Sequence, residues 1–243
     1  GRPRGTGAYQ VRHYHIAVIP GDGIGQEVMP EGIKVLHAAA EATAAFKLEY
    51  ETFPWGCEHY LARGELMPPD GLKRLEPFDA IYFGAVGWPT VPDHISLWGL
   101  RLPICQGFEQ YANIRPSVLL PGVSGPLRGK QPGDIDFVVV RENTEGEYAG
   151  AGGRGHRGLP LEVAVETAIF TRAGVERVIR YAFELARRRP RRRLASVTKS
   201  NAQRFAMTLW DEVFETVAAE YGEVATERVL VDAMAARFVL QPE

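Results

Sequence analysis

Lys199 stands in the run TKSN, directly after an apolar, strand-like stretch and at the start of a helical pattern. A lysine set among other cations can lose its proton near neutral pH and serve as a base. The plain alternative is a solvated lysine at a helix start, with a small dipole penalty. Tyr148 closes the run RENTEGEY, which follows the very apolar residues 137–140. In open α/β sheets ligands gather at strand carboxyl ends, so a phenol there is a candidate proton donor. Otherwise it covers the end of the strand. Arg141 opens the same run, and Arg115 sits in YANIRP with a proline behind it. A guanidinium grips a carboxylate through two parallel hydrogen bonds, which makes both arginines candidate clamps. The competing reading for each is a surface ion pair.

Two further runs read less sharply. Asp232, in VDAMA, follows another strand pattern. A single aspartate there is most simply a helix cap. As a ligand for Mg²⁺ or Mn²⁺ it needs companions, because these ions take about six oxygens. IPGDGIG (19–25) places glycines between a strand and a helix, where backbone can approach an anion. Its spacing is G-x-G-x-G and not the G-x-G-x-x-G of the dinucleotide fingerprint. A tight turn capped by Asp22 accounts for it equally well.

These runs must be held by alternating elements. The patterns predict strands over 15–20, 47–53, 79–86, 137–140, 161–170, 194–198 and 228–231. Helices are expected over 24–45, 57–63, 71–76, 171–188 with Thr171 as cap, 201–221, and 233–240 capped by Asp232. Residues 87–120 read as irregular, and the glycine-rich 149–160 as a flexible arm. Strands alternating with helices imply an α/β sheet covered by helices.

Composition narrows the function classes. The 243 residues suffice for one large or two smaller domains, and the net charge of −2 suits neither a nucleic-acid nor a membrane surface as main partner. The arginine run 187–193 has no interleaved aromatics and reads as a solvated loop. No apolar stretch reaches the ~20 residues of a membrane span. Two cysteines, Cys57 and Cys105, match no zinc or disulfide framework, so a cytoplasmic location is expected. His59, His94 and His156 have no metal-ligand spacing. Residues 1–13 are basic and glycine-rich and read as a disordered leader.

Taken together and in order, IPGDGIG, FDAIYFGAVGWP, VPDHISLWG, YANIRP, VVVRENTEGEY, TKSN and VDAMA make the chain resemble the isocitrate/isopropylmalate dehydrogenase family. The stretch VPDHISLWG points to its tartrate and D-malate branch. The resemblance implies a two-domain α/β fold unlike the Rossmann type, with domains over 14–100 and 101–243, the second carrying a dimer interface and the arm near 149–160. It implies NAD-linked, Mg²⁺- or Mn²⁺-dependent oxidation and decarboxylation of a small 2-hydroxy dicarboxylic acid, with K⁺ a further candidate cation. Lys199 would be the general base and Tyr148 the general acid. Arg115 and Arg141 would bind carboxylates, Asn201 would lie near the nicotinamide, and Asp232 would ligate metal in the partner's site of a homodimer. Residues 93–98 would shape the pocket for the far end of the substrate. Many relatives carry another arginine where this chain has Cys105; either the nearby Arg101 substitutes for it or the pocket has one fewer positive charge. The family continues for roughly another hundred residues with further metal aspartates, so this polypeptide alone is expected to lack normal activity. The competing functions are isopropylmalate oxidation and, in a different class, a non-catalytic homologue acting as a dimerising or regulatory partner.

Overall fold

A computed structural model describes residues 11–242 and divides them into two compact units, one ending at Gly107 and the other beginning at Phe108. The expected leader, residues 1–13, lies mostly outside the described residues, and Arg12 and His13 already belong to the first strand.

In the first unit, β1 (Arg12–Gly21) lies between β2 (Phe46–Thr52) and β3 (Ala80–Ala85) in a parallel sheet. The central strand of a parallel sheet is covered on both faces, which is why Ala17, Val18 and Ile19 form an unbroken apolar run and are at most 1 % exposed. Helix α1 (Ile24–Thr43) packs Met29 and Ile33 against Ile16 and Val18. The short helices α2 (Cys57–Arg63) and α3 (Gly71–Leu75) follow β2. The stretch after β3, expected to be irregular, instead contains α4 (Asp93–Ser96), a π-helical turn (Leu97–Arg101) and α5 (Leu102–Gly107). Each piece is too short for its apolar period to show in sequence. α5 belongs to the first unit, where Leu72 fills the space beside Gly107.

The second unit is built on α6 (Arg172–Arg188) and α7 (Ala206–Ala218). Val175, Val178, Ile179 and Phe183 recur at helical spacing and meet Val213, Phe214 and Val217. Phe183 lies between Phe214 and Tyr221, with ring centroids 5.3 and 4.9 Å away. Thr171 caps α6 as expected, its hydroxyl accepting from the Gly174 N–H at 3.0 Å. α7 starts five residues later than expected because 201–205 form turns. Three two-stranded sheets complete the unit: antiparallel β4 (Ala112–Val118) with β5 (Asp136–Glu142), antiparallel β6 (Gly146–Gly155) with β7 (Val163–Ile169), and parallel β8 (Arg193–Thr198) with β9 (Ala225–Leu230). β4 lies in the stretch read as irregular; its Pro116 is tolerated because proline can sit in a strand at the edge of a sheet. In the expected arm, Gly152, Gly153 and Gly155 lie in the β6–β7 ladder and residues 156–160 form the turn, and Gly152 leaves no room for a Cβ against the Val165 carbonyl. α8 (Val231–Leu240) follows β9 directly.

Candidate functional site

The expected site residues fall mostly in the second unit, and register decides which of them meet. In the β4–β5 ladder Asn113 stands opposite Arg141 and Arg115 opposite Val139. Directly paired residues of an antiparallel ladder share a face, and side chains two apart return to it. Arg115 and Arg141 are therefore diagonal neighbours on one face, with backbones about 7–8 Å apart by sheet geometry. The opposite face, through Ala112 and Val140, packs on the α6–α7 core. Phe137 shares the arginine face and stacks on Phe238 of α8 at 4.9 Å. The helix that carries Asp232 thus meets the face that carries both arginines.

The run after β5 is a tightly bonded turn. The Glu142 carboxylate is buried and accepts from the Thr144 N–H at 2.7 Å, the Thr144 hydroxyl at 2.9 Å and the Glu145 N–H at 2.6 Å. Asn143, also buried, donates to the Gln110 carbonyl at 3.0 Å and accepts from the Arg141 Nη2 at 3.3 Å. Glu145 accepts from the backbone and hydroxyl of Thr171 at 2.9 and 2.6 Å, which ties the turn to the cap of α6. The Arg141 guanidinium then lies over the Tyr148 ring, 5.4 Å from its centroid. A cation over an aromatic face is attracted by the ring quadrupole, so the proposed clamp and the proposed acid form one unit. The carboxylates of this run hold the turn, and the arginine and tyrosine are what it presents. Sequence reasoning singled out the two presented residues and missed the holding roles of Glu142 and Glu145.

Lys199 and Asp232 are brought together by the other sheet. β8 and β9 run parallel with Thr198 opposite Leu230, so both candidate residues emerge just past the same pair of strand ends. The Lys199 ammonium donates directly to the Asp232 carboxylate. Asp232 lies in the first turn of α8 and is not its cap, because Leu230 holds that position. Lys199 keeps the Asp232 carboxyl below the usual carboxylate range, chiefly through this hydrogen bond and then through its charge. Asn201 is exposed two residues beyond Lys199. It opens on a hollow of about 560 Å³ whose walls include Asp211, Glu212, Glu215 and Arg228. That acidic wall does not suit the diphosphate of a dinucleotide. Among the described residues no three histidine, cysteine, aspartate or glutamate side chains gather so as to hold a metal ion. A divalent ion is not fitted by the described residues alone, since Asp232 offers one carboxylate and Lys199 already engages it.

The first unit holds the remaining expectations. Arg101 ends the π-helical turn, half-buried. Residues 87–93 line a second hollow of about 580 Å³. Two of the IPGDGIG glycines serve packing, because a Cβ on Gly25 would lie 2.1 Å from the Pro20 carbonyl oxygen and one on Gly21, at φ 73°, 2.0 Å from that of Ala85. Asp22 does not cap its own helix, whose first position follows Gly23. It is buried and accepts instead from the backbone N–H of Cys57 at 2.8 Å, Glu58 at 3.2 Å and Gly87 at 3.1 Å. Burial, followed by Asp22, pushes the Cys57 thiol up to about 12.

Residues 15–243 match the isocitrate/isopropylmalate dehydrogenase family. The chain belongs to that family. It is 59 % identical over 233 residues to a probable tartrate dehydrogenase/decarboxylase of Agrobacterium vitis, covering 96 % of this chain and 65 % of the relative. It is 57 % identical over 230 residues to the decarboxylating D-malate dehydrogenase of Escherichia coli K12, covering 94 % and 63 %. Among solved structures, isocitrate dehydrogenase from Methylococcus capsulatus superposes with a TM-score of 0.79 at 30 % identity, over 94 % of this chain and 64 % of that one. The fold is therefore isocitrate dehydrogenase-like, and the chain spans a little under two thirds of the length of these relatives.

Proposed function

We propose that this chain carries the substrate-handling groups of an NAD-linked enzyme that oxidises and decarboxylates a small 2-hydroxy dicarboxylic acid, tartrate or D-malate. The observation that supports this most directly is the shared face of Arg115 and Arg141, met by the Asp232 helix through Phe137 and Phe238. Two guanidiniums at that spacing suit the two carboxylates of a short diacid. Fixing both ends holds the C2 hydroxyl in one place, which is the larger part of what positioning contributes to rate. Lys199 is assigned as the base for the hydroxyl proton, a role open to it once a metal ion draws Asp232 away, since an ammonium paired to that carboxylate keeps its proton; Tyr148, steadied under Arg141, is the acid that returns a proton to the enol carbon once CO₂ has left. Arg101 and residues 93–98 are assigned to substrate selection. NAD would supply the hydride acceptor, with Asn201 beside its nicotinamide alone, because the acidic hollow next to Asn201 does not fit the diphosphate.

The acting form is a homodimer, with Mg²⁺ or Mn²⁺ ligated in part by Asp232 and K⁺ as a further candidate cation. The described residues supply a single carboxylate to that ion, so we expect this chain to bind its substrate without normal turnover. Cys57 and Cys105 are free and buried, which suits a reducing cytoplasm, and no described helix is long and apolar enough to cross a membrane.

Calorimetric titration with D-malate, tartrate and 3-isopropylmalate tests the reading. D-malate or tartrate should bind in preference, and R115Q or R141Q should weaken binding by about tenfold or more, as expected when one charged hydrogen-bond partner is lost. Preference for isopropylmalate would replace the substrate, and binding of none of the three would overturn the reading. Robust NADH formation from D-malate with Mn²⁺ would overturn the expectation of low turnover.

A further inference from the structure

An arginine outside the proposed reaction closes the same end of the β4–β5 ladder. Arg177, half-buried on α6, places its guanidinium over the Tyr111 ring, 4.7 Å from the centroid. Its Nη2 donates to the Thr144 hydroxyl at 3.0 Å. Tyr111 immediately precedes β4, and Thr144 stands two residues beyond β5. One planar group therefore clips the entry of the strand bearing Arg115 to the exit of the strand bearing Arg141. Thr144 passes the restraint on, since its hydroxyl donates to Glu142, whose carboxylate organises the turn that seats Arg141 beside Asn143.

From this geometry we infer that Arg177 is a positioning residue that sets the spacing of the Arg115–Arg141 clamp and hence the length of diacid the site accepts. The inference rests on the proposed function. The guanidinium is suited to the task because it stacks on a ring and donates in its own plane at once, which a lysine ammonium cannot do. The carbonyl of Gln110, held by Asn143, fixes the same corner from the other side. Loss of Arg177 should therefore loosen the corner without opening it.

The test compares D-malate with 2-hydroxyglutarate, one methylene longer, by calorimetry on this chain. In a fitted site one methylene is worth about tenfold or more. Wild type should prefer the shorter acid by that margin. R177Q should narrow the preference to about threefold or less, and R177K should recover part of it. T144V, which removes the acceptor, should reproduce R177Q, and the double variant should be no worse than either. Arg180, one turn on, bonds Glu176 and Glu220 instead. R180Q should therefore keep the wild-type preference, which separates positioning from general loosening of α6. If R177Q fails to fold, R177K and T144V carry the comparison. Wild type that binds neither acid overturns the functional reading and this inference with it. Wild type that discriminates, with R177Q, R177K and T144V discriminating equally well, overturns the inference and leaves the function standing.

Discussion

Replacing Asp22 by alanine should destabilise the first unit by about 2–5 kcal/mol, and the figure follows from what its carboxylate holds. Three backbone donors converge on it: Cys57 N–H, Glu58 N–H and Gly87 N–H. The Cys57 contact is buried, and a buried donor left unpaired costs about 1–3 kcal/mol. The other two are part-buried, and each such bond contributes about 0.5–1.5 kcal/mol. Against this stands the desolvation that a buried carboxylate no longer suffers, which keeps the total below the sum of the upper bounds. In a domain of this size the lower end of that range already means a Tm lower by roughly 8–16 °C. Urea unfolding followed by Trp55 reports on the right place, because Trp55 is 4 % exposed and directly precedes the α2 turn. D22N should be milder and differently distributed. If its carbonyl oxygen continues to accept from Cys57 and Glu58, its amide faces the Gly87 N–H donor to donor, so hydrogen exchange should quicken at Gly87 more than at Cys57. The Cys57 thiol gives an independent readout: inert toward disulfide reagents in wild type, where burial and Asp22 hold it near 12, and labelled faster in D22A. A loss below about 1 kcal/mol, with Cys57 still unreactive, would refute the claim that this carboxylate ties the three loops together.

Three other outcomes are expected. T171A should cost about 1–2 kcal/mol and fray the first turn of α6, read by exchange at Gly174, because the hydroxyl both caps the helix and bonds Glu145. K199M should let the Asp232 carboxyl titrate at a higher pH than in wild type, measured by carboxyl NMR, since Lys199 is what holds it low. E220Q should flatten the acid limb of stability. The Glu220 carboxyl is lowered by hydrogen bonds from Arg180, so its contribution is present above the ordinary carboxylate range and lost as pH falls through the lowered value; the pair is exposed, so salt should shrink the difference.

Much of the fold was legible because local periodicity and local caps agreed. α6 shows apolar residues at helical spacing and opens on a threonine, and both the helix and its cap lie where those signals put them. The π-helical turn, α4 and α5 were not legible, because each is shorter than the window in which a period declares itself, and β4 lay within a stretch read as irregular, its proline permitted by its edge position. Asp22 shows a different kind of failure. Its neighbours in sequence made it a cap for the next helix, yet its partners lie 35 and 65 residues away, and no local pattern carries such contacts. Arg177 went unnoticed for the same reason: an arginine on an amphipathic helix looks solvated until Tyr111 and Thr144 are brought to it.

The candidate site depends on parity as much as on residue type. Arg115 and Arg141 share a face only because Asn113, and not Ile114, stands opposite Arg141; a slip of one residue would send one guanidinium into the α6–α7 core and leave the other outside. A bare two-stranded ladder specifies its register weakly. Here the register is held at one end of the ladder, by Asn143 on the Gln110 carbonyl and by Arg177 between Tyr111 and Thr144. The polar residues of RENTEGEY therefore do two separable kinds of work. Arg141 and Tyr148 are the residues proposed for the chemistry, while Glu142, Asn143, Thr144 and Glu145 give their hydrogen bonds to the turn that presents them.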